Sequence, residues 1–178
     1  LHIVVAALTR RRPEMLKTLL NSWVSCDLPE NAEVQFLIVE NEEAPRCEQI
    51  VNAYNGEATD RAILYVHEPE LGIPFGRNRA AKEAIALGAN LLAFVDDDEA
   101  VASDWLKEIV NAYRKSQAVL IGGPVRVKDS TDDLSFRVPA EEPKGGEEEP
   151  PLDGGETKKN APEVTVIYPN GREVLSGE

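Results

Sequence analysis

The chain has 178 residues, of which 42% are hydrophobic, so it can bury one sizeable core and falls in the usual range for a single domain. Its formal net charge of -13 disfavours a general affinity for nucleic-acid phosphates and anionic lipid surfaces, because like charges repel. We therefore expect small molecules or proteins as partners, and we expect no nucleic-acid partner.

The start of the chain predicts a strand, a helix and a second strand. The apolar run at 2–8 predicts a buried strand, and Pro13 begins a helix. The second apolar run, 34–39, ends at Glu40 and Asn41, which completes one βαβ unit. The apolar positions of the predicted helix are Leu16, Leu19, Leu20 and Trp23.

The alternation of strands and helices continues to residue 121. Strands are predicted at 62–66, 91–95 and 118–121, and an alanine-rich helix at 77–87 ends at Gly88. This order predicts an α/β fold with a mostly parallel sheet and helices on both faces. A further helix is predicted to place Trp105, Leu106, Ile109, Val110 and Tyr113 on one apolar face.

The composition changes near residue 128. Residues 1–128 form the predicted core domain, and residues 129–163 are an acidic Pro/Gly-rich segment that we expect to be a mobile loop. Residues 164–178 carry the signal of a hairpin, with alternating apolar residues before Pro169, Asn170 and Gly171.

Cysteine usage and hydropathy predict a cytoplasmic protein. Cys26 and Cys47 lie in no CxxC motif and beside no histidine, so we expect neither a disulfide nor a zinc site. No apolar run approaches the roughly 20 residues that cross a bilayer. Because Leu1 stands almost at the start of a strand and no initiator Met is present, we expect a fragment of a longer protein.

Three consecutive acids, Asp96, Asp97 and Asp98, follow an apolar strand. In open α/β sheets, ligands bind outside the carboxyl ends of the strands. Mg²⁺ and Mn²⁺ prefer carboxylate and phosphate oxygens, so a short acidic loop can hold a cation that bridges to a diphosphate. The cation would also relieve the repulsion among the three carboxylates. The alternative is a solvated acidic turn that caps the following helix.

The segment Gly76, Arg77, Asn78 and Arg79 is predicted to begin a helix. Free amide groups and the helix dipole favour anions at such a position, and an arginine beside them suits a diphosphate. The alternative is that Arg77 and Arg79 are surface residues paired with Glu83 or with the acidic triplet.

Polar residues also follow the first two predicted strands. Thr9 follows the first strand, and Glu40 with Asn41 follows the second, so all three are expected at the edge that carries the acidic triplet. There they can hydrogen-bond a nucleobase, although singly they are ordinary strand-end residues. The arginines at 10–12 either attract a phosphate or form a solvated loop.

Other classes with an acidic strand end fit less well. A haloacid-dehalogenase-type phosphatase needs an aspartate where this chain has Thr9, and a response-regulator receiver needs an acidic pair there. The chain contains neither a GxxxxGK[ST] loop nor a GxGxxG motif, which excludes the commonest ATP and dinucleotide sites.

Four motifs resemble, in this order, those of glycosyltransferase family 2, whose members have the GT-A fold. They are TRRRPE at 9–14, IVEN at 38–41, GRNRA at 76–80 and FVDDDE at 94–99. The resemblance covers about residues 2–127. RRPE, ILYVHEPE, AFVDDDE with a following DWL, and GGPVR are similar to bacterial succinoglycan-type exopolysaccharide glucosyltransferases.

The resemblance implies a nucleotide-sugar site with a divalent cation, Mn²⁺ or Mg²⁺. Asp98 would ligate the cation with Asp96 as a further ligand, while Asp96 or Asp97 would contact the ribose or the metal-bound phosphates. Arg77 would lie near the diphosphate or the base. The residues expected to bind the nucleotide sugar are Thr9, Glu40, Asn41, Arg77, Asn78, Asp96 and Asp97.

The resemblance also implies the reaction. The family moves a sugar from a nucleoside diphosphate sugar to an acceptor with inversion, and an Asp or Glu deprotonates the acceptor hydroxyl. This base commonly lies in an ED pair, which the chain lacks. We expect the base beyond Glu178, with 164–178 as the start of an incomplete acceptor region.

The leading hypothesis is transfer of a hexose from a UDP-sugar to a glycan or lipid-linked acceptor. Association with the inner face of the plasma membrane, through regions outside this chain, is left open. The second hypothesis is a nucleotide-sugar-binding module without transfer activity. A nucleotidyltransferase would need a Gly-rich loop near the first strand, which TRRRPE does not match.

Overall fold

The computed structural model describes residues 1–56, 61–116, 118–125 and 165–167. The described elements alternate strand and helix from His2 to Ile121, with a further short strand near residue 166. They are β1 (His2–Thr9), α1 (Pro13–Ser25), β2 (Glu33–Asn41), α2 (Glu48–Gly56), β3 (Ile63–Glu68), α3 (Ile73–Ala86), β4 (Leu91–Phe94), α4 (Trp105–Ser116), β5 (Leu120–Ile121) and β6 (Thr165–Ile167).

A six-stranded sheet forms the centre of the described structure. Its strand order is β3-β2-β1-β4-β6-β5, and every neighbouring pair is parallel. β1 and β2 pair over their length, from His2 opposite Glu33 to Thr9 opposite Glu40. Because parallel strands end at the same edge, the residues that follow β1, β2 and β4 lie close together. The α/β fold class with a mostly parallel sheet is confirmed.

Alternate residues of the strands face two apolar clusters, since side chains of a strand point to opposite faces of the sheet. The first cluster is covered by α1, α2 and α4 and includes Leu16, Val51 and Leu106. The second is covered by α3 through Ala80 and Ala84. Helices therefore cover both faces, as predicted.

Two helix ends follow the sequence signals. α1 begins at Pro13, where the missing amide hydrogen costs nothing, and its four predicted apolar positions are buried. α3 ends as predicted, because Gly88 has a φ of 71° and its amide donates to the Ile85 carbonyl at 2.9 Å. The apolar face predicted for α4 also packs into the first cluster.

The start of α3 differs from the prediction. The helix begins at Ile73, before the predicted start at Gly76, and the amide of Gly76 donates to the carbonyl of Gly72 at 3.2 Å. The prediction that Gly76 offers a free amide to an anion is therefore wrong. Pro74 is the reason, because proline fits the first turn of a helix.

α2 is absent from the predicted elements. Its first amides are satisfied by the carbonyl of Cys47, which accepts from Ile50 and Val51 at 3.0 and 3.2 Å. Val51 is fully buried, and Tyr54 packs against the same cluster. α2 therefore packs against β3, on the face of the sheet that carries the first apolar cluster.

The C-terminal predictions fall mostly outside the described residues. The acidic segment 129–163 and the second half of the predicted hairpin, 169–178, both lie there. β6 occupies the expected first half of the hairpin, but it is inserted between β4 and β5 and runs parallel to both.

The sequence predicted neither a membrane-spanning segment nor a disulfide, and the structure can be compared with these two predictions over the described residues. No helix within them is long and apolar enough to cross a membrane. Cys26 and Cys47 are buried free thiols.

Candidate functional site

A cavity of about 570 Å³ opens at the carboxyl edge of the sheet, between the ends of β1 and β4 and the start of α3. It joins the predicted acidic triplet, one residue of the GRNRA motif and part of the arginine run. Its lining comprises Leu8, Thr9, Arg10, Arg12, Asn41, Gly72, Ile73, Arg77, Phe94, Val95, Asp96, Asp97 and Asp98.

The acidic triplet forms a turn whose middle carboxylate is fixed. Asp97 is only 6% exposed, and its Oδ2 accepts from the hydroxyl of Thr9 at 2.9 Å. Asp96 and Asp98 on either side are exposed. The carbonyl of Asp96 accepts from the amide of Glu99 at 3.1 Å, which closes the turn. The turn therefore keeps one carboxylate inside and presents two to solvent.

Arg12 supplies the positive charge nearest to this turn. Its Nη1 donates to Asp97 Oδ1 at 3.0 Å and to Asp98 Oδ2 at 3.2 Å. The charge of Asp97, and after it the hydrogen bond with Asp97 and the charge of Asp98, raise the pKa of the Arg12 guanidinium. The sequence pattern did not identify this contact, since it offered Arg12 only as a phosphate ligand or a solvated residue.

Arg77 reaches the cavity from the second turn of α3, not from a free helix start. Its guanidinium carbon lies 5.9 Å from the centroid of the Phe94 ring, within the range of a cation–π contact. α3 approaches the sheet closely because Gly76 has no side chain. A Cβ at Gly76 would lie 2.7 Å from Leu8 Cδ2. The glycine of the GRNRA motif thus serves packing, and the arginine faces the site.

Asn41 borders the cavity and fixes the segment that leads into α3. Its Nδ2 donates to the carbonyls of Glu68 and Glu70 at 3.1 and 2.6 Å, and its Oδ1 accepts from the amide of Gly72 at 2.8 Å. Gly72 has a φ of 137°, which a residue with a Cβ rarely adopts. The amide of Asn41 is therefore engaged with the protein backbone.

The structure leaves two neighbours of Arg77 outside the cavity lining. Asn78 is exposed on α3. Arg79 pairs with Glu83 at 2.7 Å and donates to the His67 carbonyl at 3.2 Å. The alternative weighed from the sequence, an ordinary surface pairing, therefore holds for Arg79, and the nucleotide contact of Asn78 stays a prediction.

Glu40 lies behind the cavity lining and is completely buried. Its carboxylate accepts from the amides of Arg46 and Cys47, at 2.9 Å each to Oε2, and from the hydroxyl of Tyr65 at 2.6 Å. Burial acts to raise the pKa of Glu40, but the hydrogen bonds outweigh it, and the pKa is lowered. A base contact by Glu40 stays a prediction, and it would require the buried carboxylate to become accessible to the ligand.

Glu42 is a second buried carboxylate at the end of β2, and the sequence pattern did not single it out. Its side chain is 1% exposed and pairs with Arg11 and, at 3.7 Å, with Arg10. The hydrogen bond from Arg11 is the largest cause that lowers the pKa of Glu42 to about 2. The charge pattern of TRRRPE is the signal that could have found it, because arginines that follow β1 can pair with acids that follow the neighbouring β2.

The acidic turn offers oxygen ligands to a divalent cation. Asp96 and Asp98 are exposed carboxylates, the hard ligands that Mg²⁺ and Mn²⁺ prefer. Within the described part of the chain, no three acidic, histidine or cysteine side chains converge on a ready-made metal site. Mg²⁺ is often held by one or two carboxylates with substrate phosphates as the remaining ligands. The residues therefore fit a cation that binds together with a phosphorylated ligand.

Comparison with known sequences gives a family match and a related protein. The family model described as Glycosyl transferase family 2 matches residues 3–169. Succinoglycan biosynthesis protein ExoM of Rhizobium meliloti (strain 1021) is 35% identical over 126 residues, which are 71% of this chain and 39% of that protein. The chain thus spans 39% of the length of this relative.

Comparison with solved structures gives the fold. S. aureus TarS 1-349 has a TM-score of 0.58 at 21% identity, with 74% of this chain and 39% of that chain covered. The structure of S. aureus TarS 1-349 in complex with UDP also has a TM-score of 0.58 at 21% identity, with 74% and 38% covered. The predicted GT-A type of α/β fold is confirmed by this likeness.

Proposed function

Since the chain belongs to glycosyltransferase family 2, we propose that it forms the donor site of an enzyme that transfers a hexose from a UDP-sugar. The observation that carries the proposal is one cavity lined by two exposed carboxylates, Asp96 and Asp98, and by the guanidinium groups of Arg12 and Arg77. A nucleoside diphosphate with a bound cation carries both signs of charge, and the cavity offers a counter-charge for each.

The acidic turn would hold the cation. Asp98, with Asp96 as a further ligand, would bind Mn²⁺ or Mg²⁺, which offsets the negative charge on the departing diphosphate. Asp97 would act differently, because its carboxylate is buried and bonded to Thr9 and Arg12. It positions the turn, so that its two exposed neighbours keep a fixed spacing.

The nucleotide would lie across the ends of β1 and β4. Arg77 would contact the diphosphate, and its stacking on Phe94 reduces the freedom that the arginine loses on binding. Thr9, Glu40 and Asn41 end β1 and β2 at this edge and would bind the base, and Asn78, one residue after Arg77, would contact the nucleotide sugar. UDP is the proposed nucleotide because the similar TarS structure is described as a complex with UDP.

Neither the acceptor site nor the catalytic base is assigned to a residue that the structure describes. The relative ExoM is described as a succinoglycan biosynthesis protein, which supports a glycan or lipid-linked acceptor in exopolysaccharide synthesis. A lipid-linked acceptor would bring the enzyme to the cytoplasmic face of the membrane. Inversion at the anomeric carbon would follow from direct displacement by an acceptor hydroxyl that a carboxylate deprotonates.

Calorimetric titration of UDP and UDP-glucose, with and without Mn²⁺, tests the donor site. We expect binding that depends on Mn²⁺ and that falls roughly 10- to 100-fold in Asp98→Asn, because an interaction with a charged group contributes about 1.5–3 kcal/mol. Asp27→Asn is the matched control. Asp27 is a half-exposed aspartate paired with Lys107 and lies outside the cavity lining.

Three outcomes separate the hypotheses. Equal metal-dependent binding by the two variants would leave the acidic turn as a solvated turn without a metal. Absence of binding by the folded wild-type chain would contradict the donor site. Tight binding of the donor, without sugar transfer to any glycan or lipid-linked acceptor, would favour the nucleotide-sugar-binding module.

A further inference from the structure

One nitrogen of Arg12 bridges two carboxylates that have different surroundings. Arg12 Nη1 lies 3.0 Å from Asp97 Oδ1 and 3.2 Å from Asp98 Oδ2. The Asp97 side chain is 8% exposed and is also held by Thr9, whereas the Asp98 side chain is 50% exposed. Within the described part of the chain, Arg12 is the cation that pairs with Asp98.

The backbone of Arg12 is fixed, while its guanidinium is not enclosed. Arg12 is the N-cap residue of α1, its carbonyl accepts from the Leu16 amide at 3.0 Å, and Pro13 follows directly. The side chain is 51% exposed and lines the cavity. A long side chain on a fixed backbone can therefore exchange one anionic partner for another without a change in the fold.

Arg12 already occupies Asp98, so a divalent cation would have to compete with it for this carboxylate. A cation on the Asp98 carboxylate would lie within a few ångströms of the guanidinium, and two positive groups at that distance repel each other. The donor removes this conflict, because its diphosphate brings new negative charge into the cavity that Arg12 already lines. The guanidinium geometry also matches phosphate oxygens.

We infer that Arg12 is a resident counter-ion of the acidic turn, which neutralises Asp98 in the empty site and moves to the donor diphosphate when Asp98 takes up the cation. This inference rests on the proposed function, since it requires the cation to bind at Asp98. Arg12 keeps the empty turn from holding a cation that no nucleotide accompanies. Cation and nucleotide therefore bind cooperatively, each raising the affinity for the other.

Titration of the chain with Mn²⁺, followed by the electron paramagnetic resonance signal of the free ion, measures this coupling with and without UDP. In Arg12→Gln without UDP, we expect the Mn²⁺ affinity to rise roughly threefold, because a competing cation in a half-exposed pair is removed. We expect UDP to raise the Mn²⁺ affinity of Arg12→Gln by a smaller factor than in wild type. Arg12→Lys, which keeps the charge, should stay close to wild type.

Arg10→Gln is the matched control, since Arg10 lines the same cavity but pairs with Glu42 at 3.7 Å. Without UDP, its Mn²⁺ affinity should remain close to that of wild type. Arg12→Met keeps the aliphatic stem, and we expect the same rise in Mn²⁺ affinity as in Arg12→Gln. With two neutral variants, a folding defect in one of them does not decide the result. An Mn²⁺ affinity that is unchanged or lower in both neutral variants overturns the inference.

The Asp98→Asn variant distinguishes failure of the inference from failure of the proposed site. If UDP-dependent Mn²⁺ binding is lost in Asp98→Asn while the neutral Arg12 variants show no gain, the inference alone is wrong. If wild type and Asp98→Asn bind Mn²⁺ equally in the presence of UDP, the metal site itself is wrong, and the counter-ion role of Arg12 with it.

Discussion

Two groups of carboxylates lie at the carboxyl edge of the same sheet, and their surroundings are opposite. At the end of β2, Glu40 and Glu42 are buried, and donors of the protein itself engage their oxygens. After β4, the turn of Asp96, Asp97 and Asp98 exposes its two outer members. Both groups follow apolar strands, so their position in the sequence does not separate them.

The difference lies in which oxygens are still open to an external ligand. A buried carboxylate that accepts several hydrogen bonds fixes the backbone around it, and its removal leaves donors without acceptors. An exposed carboxylate contributes little to the stability of the fold, and when like charges lie beside it, a bound cation relieves their repulsion. We therefore expect the β2 group to determine stability and the β4 group to determine binding.

The largest effect on stability is expected at Glu40. Glu40→Gln would turn an amide group toward some of the three donors from Arg46, Cys47 and Tyr65. We expect a loss of about 3 kcal/mol in the free energy of unfolding, because a buried hydrogen bond to a charged group contributes about 1.5–3 kcal/mol. Urea denaturation measures it through the midpoint at constant slope.

Asp98→Asn tests the exposed carboxylates after β4 in the same way. Its carboxylate is half exposed, so the free energy of unfolding should change by less than about 0.5 kcal/mol. A loss as large as that of Glu40→Gln would show that the acidic turn also supports the fold. A small loss in Glu40→Gln would show that the amide oxygen of the glutamine satisfies the same donors without the charge.

Asp97 sharpens the comparison, because it is the buried member of the exposed group. Thr9→Val keeps the shape of the side chain and removes the hydroxyl that donates to Asp97 Oδ2 at 2.9 Å. We expect a loss of about 1–2 kcal/mol in the free energy of unfolding, together with weaker binding of UDP and Mn²⁺. Thermal unfolding and calorimetry on the same samples measure the two effects.

Thr18→Val is the control for Thr9→Val. Thr18 is exposed on α1, and its hydroxyl donates to the Glu14 carbonyl at 3.2 Å. Its substitution should leave UDP binding unchanged and stability within about 0.5 kcal/mol of wild type. If Thr9→Val loses stability but binds UDP like wild type, Asp97 does not position the turn for the nucleotide.

Much of the fold follows from apolar periodicity in the sequence. β1, α1 and the face of α4 match their predictions because each has a continuous or helically spaced apolar pattern. α2 escaped prediction because it is short, and among residues 48–55, whose burial the structure describes, only Val51 is deeply buried. α3 has its apolar contact through small alanines and a glycine, so the signal that could have located its start is Pro74 in the first turn.

The sequence places the candidate site at the edge where the cavity opens, while the pairing of its charges does not follow from the sequence. The strand that ends in acids predicted this edge, and the motif order selected Arg77, which lines the cavity. The contact of Arg12 with the turn joins residues 85 and 86 positions apart in the chain. Such long-range pairing depends on how parallel strands are ordered, which periodicity alone does not reveal. The burial of Glu40 depends in the same way on α2 and Tyr65.

The smallest of the expected effects concerns Glu42 at low pH. Its pKa in the folded chain is lowered to about 2 from an ordinary value of 4.5, chiefly by the hydrogen bond from Arg11. A lowered pKa means that the contribution of Glu42 to stability is present above about pH 4.5 and is lost as the pH falls toward 2. Because the Arg11 side chain is 57% exposed, solvent screens this pair and keeps the contribution modest.

Denaturation of Glu42→Gln between pH 5 and pH 2 should therefore show a shallower loss of stability than wild type, and Arg11→Gln should behave likewise. Glu33→Gln, at the exposed start of the same strand, should retain the wild-type slope. Equal slopes in all four proteins would mean that Glu42, although buried, contributes no pH-dependent stability, and the contrast between the two groups of carboxylates would then rest on Glu40 alone.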